Sequence, residues 1–180
     1  MEKSTTVRVQ FKKMARKSNL IILMLISHIV YSQSGEAYFN SAQQKFEFKD
    51  FQGSIEDYTK CLALEPNLIE AYHNRALAKC NLKDYEGAIL DHDKCISIDS
   101  TKVDYFYNRA RAKYFLKDFL GCISDNTYTI KLKPEFALGY LNRGLVRVII
   151  GNTKDGCVDL IKATELGAEN AQAIMNEYCK

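Results

Sequence analysis

Proline is nearly absent from this chain, with two residues in 180, and there are only nine glycines. A collagen-like repeat needs glycine at every third position and low-complexity disorder is rich in both residues, so neither describes a chain that is 47% hydrophobic and 26% charged. The length suits one domain, with enough chain to bury a core without relying on disulfides. Basic charge is lacking where a nucleic-acid binder would need it. The formal net charge is +3, but Lys3, Arg8, Lys12, Lys13, Arg16 and Lys17 stand against Glu2 alone in residues 1–32, leaving 19 bases and 21 acids for the remainder. Without an excess to displace phosphate counterions, nucleic-acid binding is disfavoured. Site chemistry is sparse as well. The three histidines, His28, His73 and His92, have no His or Cys at zinc-ligand spacing beside them, and no Ser-centred elbow, phosphate loop or paired carboxylates appear. The expectation is no metal, no cofactor and no catalytic residue.

What is present begins with a leader. Residues 20–30, from Leu20 to Val30, form an apolar run behind the basic stretch Lys12 to Lys17, and small or β-branched residues precede Gln33. That order is the plan of a secretory signal peptide, read here as residues 1–32 with cleavage after Ser32. Eleven residues make about 16 Å of helix, roughly half the hydrocarbon thickness of a bilayer, so the mature chain is expected to have no membrane span. An uncleaved anchor through residues 20–31 and a buried first helix remain alternatives. A start at Met14 would give a more usual leader, and the first Cys, Cys61, lies too far on for a lipoprotein anchor. The destination is expected to be periplasmic or extracellular, in a Gram-negative cell envelope.

A period of 34 residues organises the rest. Asn-Arg-Ala at 74–76 returns at 108–110 and, as Asn-Arg-Gly, at 142–144, with Asn40 one period upstream. Lys49-Asp50-Phe51, Lys83-Asp84-Tyr85 and Lys117-Asp118-Phe119 obey the same shift, as do Gly53, Gly87 and Gly121, and Asp57, Asp91, Asp125 and Asp159. Within one period Tyr72, Ala76, Leu77 and Cys80 mark one helix face, and Tyr85, Ala88, Ile89, Cys95 and Ile98 mark a second, with Lys83-Asp84 as the turn. Pro66 and Pro134 sit just beyond the second helix of their repeats, where a missing amide hydrogen does least harm. Each period is therefore a helical hairpin. Because one hairpin cannot cover its own apolar face, the four repeats (35–68, 69–102, 103–136 and 137–170) are expected to stack within 33–170, with 171–180 as a capping helix.

Counted from Gly35 as position 1, the chain resembles the tetratricopeptide repeat family. The resemblance rests on the aromatics Tyr38, Tyr72, Phe106 and Tyr140 at position 4. It rests also on small residues at position 8 (Ala42, Ala76, Ala110, Gly144), position 20 (Ser54, Ala88, Cys122, Gly156) and position 27 (Cys61, Cys95, Thr129, Ala163). It implies an all-α, right-handed superhelical solenoid of stacked antiparallel helix pairs, in which small side chains let helices cross closely. Position 24 departs from the family's aromatic with His92, Asn126 and Leu160 after Tyr58, and His92 is expected to be packed and hydrogen-bonded there. Cys61, Cys95 and Cys122 stand in small-residue columns as buried substitutes for Ala, while Cys80 has no evident partner. Cys157 and Cys179 lie about 11 residues either side of a turn near residue 168, level on antiparallel helices, and are the disulfide candidate. Asp57 with Arg75, Asp91 with Arg109, and Asp125 with Arg143 are expected to pair between successive repeats.

The resemblance also implies that a peptide or partner protein binds the concave groove lined by the first helix of each repeat. The expected groove residues are Phe39, Asn40, Gln43, His73, Asn74, Leu77, Tyr107, Asn108, Arg111, Leu141 and Asn142. Asn amides can both donate to and accept from an extended backbone. Some members grip a C-terminal carboxylate with Lys and Arg, but those columns hold Phe39, Gln43, Asp104 and Asn108, so that clamp is not expected. The sequence thus reads as an exported, non-enzymatic scaffold for protein interactions. An accessory subunit of an envelope complex held by its convex face or edges is the alternative, and an enzyme with an unrecognised site a weaker one.

Overall fold

The computed structural model describes residues 35–179; the expected leader, residues 1–32, lies outside the described residues. Nine helices and no strand occur among the described residues. They are α1 (35–47), α2 (Phe51–Leu64), α3 (Ile69–Asn81), α4 (Tyr85–Ile98), α5 (Val103–Phe115), α6 (Phe119–Leu132), α7 (Ala137–Ile149), α8 (Thr153–Glu165) and α9 (Ala171–Tyr178).

The recurring Lys-Asp-x-x-Gly explains the turn inside each hairpin. Lys49, Lys83 and Lys117 end α1, α3 and α5 in the left-handed region, at φ 63°, 63° and 61°, and Gly151 does so after α7 at φ 88°. This geometry lets two successive amides reach back to the last turn. In the second repeat the Lys83 amide donates to Cys80 and the Asp84 amide to Lys79, at 3.1 and 2.9 Å. The next residue then starts the second helix: the carboxylates of Asp50, Asp84 and Asp118 accept from the amides of Gly53, Gly87 and Gly121, each at 2.9 Å. Glycine three residues after each Asp leaves room for the capping carboxylate, which would have to turn aside for a Cβ there. In the fourth repeat Asn152 makes no such cap and donates instead to Asp155. Where Pro66 and Pro134 are missing from the second repeat, Asp99 holds the bend by accepting from the amide and hydroxyl of Thr101.

Each helix from α2 onward packs against its successor, α3 also meets α5, and α7 meets α9. Positions 8, 20 and 27 are buried in all four repeats, and the core runs through them as linked clusters around Ala42, Tyr58 and Cys61, around Ala76, Ala88 and Ala112, and around Ala110, Cys122 and Val146. In the fourth repeat both crossing positions are glycine, and a Cβ on Gly144 would lie 2.9 Å from the Gly156 carbonyl oxygen. Backbone therefore meets backbone where α7 crosses α8. The chain ends with Cys157 of α8 bonded to Cys179 behind α9, their Cα atoms 5.7 Å apart, while Cys61, Cys80, Cys95 and Cys122 are free thiols.

The buried aspartates correct the expected partners. Arg75 grips Asp91 through Nε and Nη2 at 2.9 and 2.7 Å, Arg109 grips Asp125 at 2.9 and 2.6 Å, and Arg143 grips Asp159 at 2.9 and 2.7 Å. Asp57, expected to meet Arg75, is held by Ser41, Lys45 and Lys60. All these contacts lie within one repeat. Residues 7 and 23 flank the turn at position 15 symmetrically, eight residues to each side, so they are level across the hairpin. The link to the preceding repeat comes from the remaining arm of each Arg, whose Nη1 donates to Thr59, Asp93 or Thr127. A second cation one turn along adds to three of the pairs: Lys79 on Asp91, Lys113 on Asp125 and Arg147 on Asp159.

Candidate peptide-binding groove

Helical spacing puts Asn74, Leu77 and Asn81 on one face of α3, Asn108, Arg111 and Phe115 on one face of α5, and Asn142, Leu145 and Ile149 on one face of α7. These faces meet in a row of three open clefts, each between the first helices of neighbouring repeats. The first, about 150 Å³, is lined by Gln43, Phe46 and Glu47 of α1 and Asn74 and Leu77 of α3, with Tyr58 of α2 beneath. The second, about 210 Å³, is lined by Leu77, Cys80 and Asn81 against Asn108, Arg111, Ala112 and Phe115, with Tyr85 beneath. The third, about 180 Å³, sets Arg111, Tyr114 and Phe115 against Asn142, Leu145 and Val146, with Cys122 beneath.

Six of the expected groove residues line these clefts: Gln43, Asn74, Leu77, Asn108, Arg111 and Asn142. Phe39 instead packs edge-on against Tyr58 at 5.6 Å and borders a separate cleft with Glu36, Glu65, Leu68 and Glu70. Tyr107 packs edge-on against Phe136 at 5.2 Å, and His73 lies 5.2 Å from Tyr105 and 5.5 Å from His92 between ring centroids. Asn40 is exposed and Leu141 half-buried, outside the three clefts. The position-5 side chains Phe39, His73 and Tyr107 thus serve packing against neighbouring helices. Phe46, Tyr114, Phe115 and Leu145 were not singled out from the sequence. The signal was available in helical spacing from the Asn of each helix: Leu145 lies three residues on and Phe115 seven, on the face that carries the Asn, with Phe46 and Tyr114 six on, at its edge.

The amides are partly engaged by the scaffold. Asn108 donates to the Asp104 carbonyl one turn earlier at 2.9 Å. Burial pushes the Tyr58 hydroxyl up to about 12, against the effect of its hydrogen bond with Asn74. One of the two Asn108 amide hydrogens and its carbonyl oxygen remain for a ligand.

His92 corrects a second expectation. It is fully buried, yet among the described residues neither of its ring nitrogens nor the Nδ1 of neighbouring His73 has a hydrogen-bond partner. Burial first, then repulsion from His73, lowers the His92 pKa to about 3, so the ring stays neutral. For Asp57 burial acts upward, but its bonds from Lys45, Ser41 and Lys60 together outweigh it and hold the carboxyl at about 2. The thiols of Cys95 and Cys122 are pushed up by burial to about 12 and about 11, which leaves them protonated and unreactive. Among the described residues no cluster of His, Cys, Asp and Glu is placed to hold a metal, and no helix is long and apolar enough to cross a membrane.

Comparison with known proteins agrees with this geometry. A family model described as tetratricopeptide repeat matches residues 35–68 and 69–102. A crystal structure of MamA protein superposes with a TM-score of 0.74 at 19% identity, covering 82% of this chain and 87% of that one. The repeat domain of Arabidopsis OM64 gives 0.61 at 20% identity over 65% of this chain and 97% of that one. The first repeat domain of Spaghetti (RPAP3), bound to the HSP90 peptide SRMEEVD, gives 0.63 at 18% identity over 66% and 94%. A sequence search of curated proteins returns no match. The likeness to solved structures supports the right-handed solenoid of stacked helix pairs, and within it residues 35–102 match as two tetratricopeptide repeats, in register with the 34-residue period that continues to residue 170.

Proposed function

We propose that this protein is an exported, non-enzymatic scaffold whose concave groove binds an extended segment of a partner protein. The observation that carries the reading is the row of three clefts, each with an Asn at its wall and an aromatic or apolar side chain beside it. Such a row suits a chain that presents backbone polar groups to the amides and side chains to the clefts. The peptide-bound repeat domain of RPAP3 offers a precedent in fold. Export is supported by the basic, apolar and small order of residues 12–33, and by the Cys157–Cys179 bond, since disulfides persist in oxidising compartments.

Affinity capture from the native envelope, followed by mass spectrometry, identifies the partner. Repeating the capture with Asn74→Ala and Asn108→Ala together tests the groove. Loss of about 1 to 3 kcal/mol of binding with unchanged thermal stability supports it, and an equal loss of both assigns the amides to the scaffold alone. N-terminal sequencing of the envelope protein tests cleavage between Ser32 and Gln33.

A second reading has its own observation. Leu90, Leu120 and Val158 on the second helices are 68%, 75% and 62% exposed, an apolar display that an accessory subunit of an envelope complex would cover. A partner retained by the groove variant and lost on substituting these three favours it.

A further inference from the structure

The 34-residue period runs on past the fourth repeat: one further shift carries Ala137 to Ala171, Asn142 to Asn176 and Leu145 to Cys179. Helix α9 therefore fills positions 1 to 8 of a fifth period, and Asn176 is the next member of the column Asn40, Asn74, Asn108 and Asn142. Packing agrees with the count. Helix α9 lies against α8 and α7 as α5 lies against α4 and α3, which is the place of a first helix in the repeat that follows. Position 8, small in all four repeats where a second helix crosses, is Tyr178 and is 46% exposed, since no second helix follows it among the described residues.

Neighbouring first helices recur at about 8 to 10 Å, so Asn176 stands one interval beyond Asn142 in the same row. It is exposed, and Gln172, one turn earlier, donates to its carbonyl oxygen at 2.8 Å. That bond orients the amide and leaves both its hydrogens for a ligand.

Little besides the disulfide holds this helix in place. It has eight residues where α3, α5 and α7 have 13, too few to persist undocked, and Ala171 is its one buried residue. Its entry also differs. Leu68, Lys102 and Phe136 are extended before the other first helices, whereas Asn170 is left-handed at φ 64° and makes no side-chain cap. Cys157 and Cys179 are both half-buried, so a thiol reagent has access to their bond.

Resting on the groove reading above, we propose that the groove continues across α9, where Asn176 contacts the partner segment, and that the Cys157–Cys179 bond is a redox control on that end of the site. A dithiol reductant opens the bond by exchange: two electrons and two protons convert it into the Cys157 and Cys179 thiols, and the reductant leaves as its own disulfide. Helix α9 then undocks and the partner loses its contact with Asn176. A disulfide oxidant reverses the exchange and restores it.

The test uses the exported protein in its oxidised form and cysteine-free random peptides selected on it by phage display. A length of about 16 residues crosses five first helices at roughly three residues per interval. Affinities are read by fluorescence polarisation with and without dithiothreitol, and hydrogen exchange follows the helices. Asn176→Ala should weaken selected peptides about fivefold without moving the melting temperature, and reduction should weaken them at least as much while α7 and α8 keep their protection. In Cys179→Ser, which cannot form the bond, neither dithiothreitol nor Asn176→Ala should have a further effect. Peptides that lose affinity on Asn108→Ala with Asn142→Ala but not on Asn176→Ala would overturn the contact on α9 and leave the groove standing, whatever reduction does. Equal affinity for the oxidised and reduced protein would overturn the redox control. Peptides insensitive to all three Asn substitutions, or no enrichment, would overturn the groove as well.

Discussion

Arg109 holds Asp125 of its own repeat with two hydrogen bonds and extends its third nitrogen to Asp93 of the repeat before. One side chain thus ties the hairpin together and sets its register on its neighbour. Burial acts against the Arg109 charge, and its bonds to Asp125 and Asp93 more than offset that, raising its pKa. Arg109→Ala should cost about 1 to 3 kcal/mol, less than a fully orphaned buried charge because Lys113 still reaches Asp125. A double-mutant cycle by urea unfolding should show coupling with Asp125→Ala and, within about 0.5 kcal/mol, none with Asp91→Ala.

His92 makes the scaffold sensitive to acid. Its folded pKa, near 3, lies below the ordinary histidine value of 6.5, so its contribution to stability is whole above pH 6.5 and is lost as pH falls towards 3. The slope is at most about 1.4 kcal/mol per pH unit. Asp57 adds a loss of the same sign below its ordinary value of 3.8. His92→Leu, the residue type that Leu160 places at this position in the fourth repeat, should flatten the fall between pH 6.5 and 4 in thermal melts. An unchanged pH profile would show that the ring is solvated on opening before it matters.

The turns can be improved at one position and broken at the next. Lys83 adopts φ 63°, which costs a side-chain-bearing residue about 1 kcal/mol or more, so Lys83→Gly should raise stability by roughly 0.5 kcal/mol after glycine's greater unfolded entropy is counted. Asp84→Ala removes the bond to the Gly87 amide and should lower it by about 1 kcal/mol. Urea midpoints of the two variants should move in opposite directions.

Reduction of Cys157–Cys179 should release the tail. The bond closes a loop across a sequence separation of 22, worth about 3 kcal/mol in the chain-entropy model, and α9 has only eight residues, too few to persist undocked. Hydrogen exchange should show amides of α9 losing protection in reductant while those of α3 to α6 keep theirs.

The sequence by itself determined what recurs. Turn chemistry is local: a left-handed Lys, a capping Asp and a glycine that admits its carboxylate specify a hairpin wherever they return, and the small residues at positions 8, 20 and 27 specify where helices cross. Tertiary structure alone decided between partners that the period leaves equivalent. Asp91 lies 16 residues after Arg75 and 18 before Arg109, distances that the one-dimensional repeat hardly distinguishes, and the symmetry of the inner turn gives it to Arg75. In the same way the period presents the position-5 column beside the Asn column as one groove surface. Packing against Tyr58, Tyr105 and Phe136 withdraws Phe39, His73 and Tyr107 from it, because a side chain's direction depends on which groups the folded chain stands next to it: Tyr58 and Phe136 come from later in the same repeat, and Tyr105 from the next one.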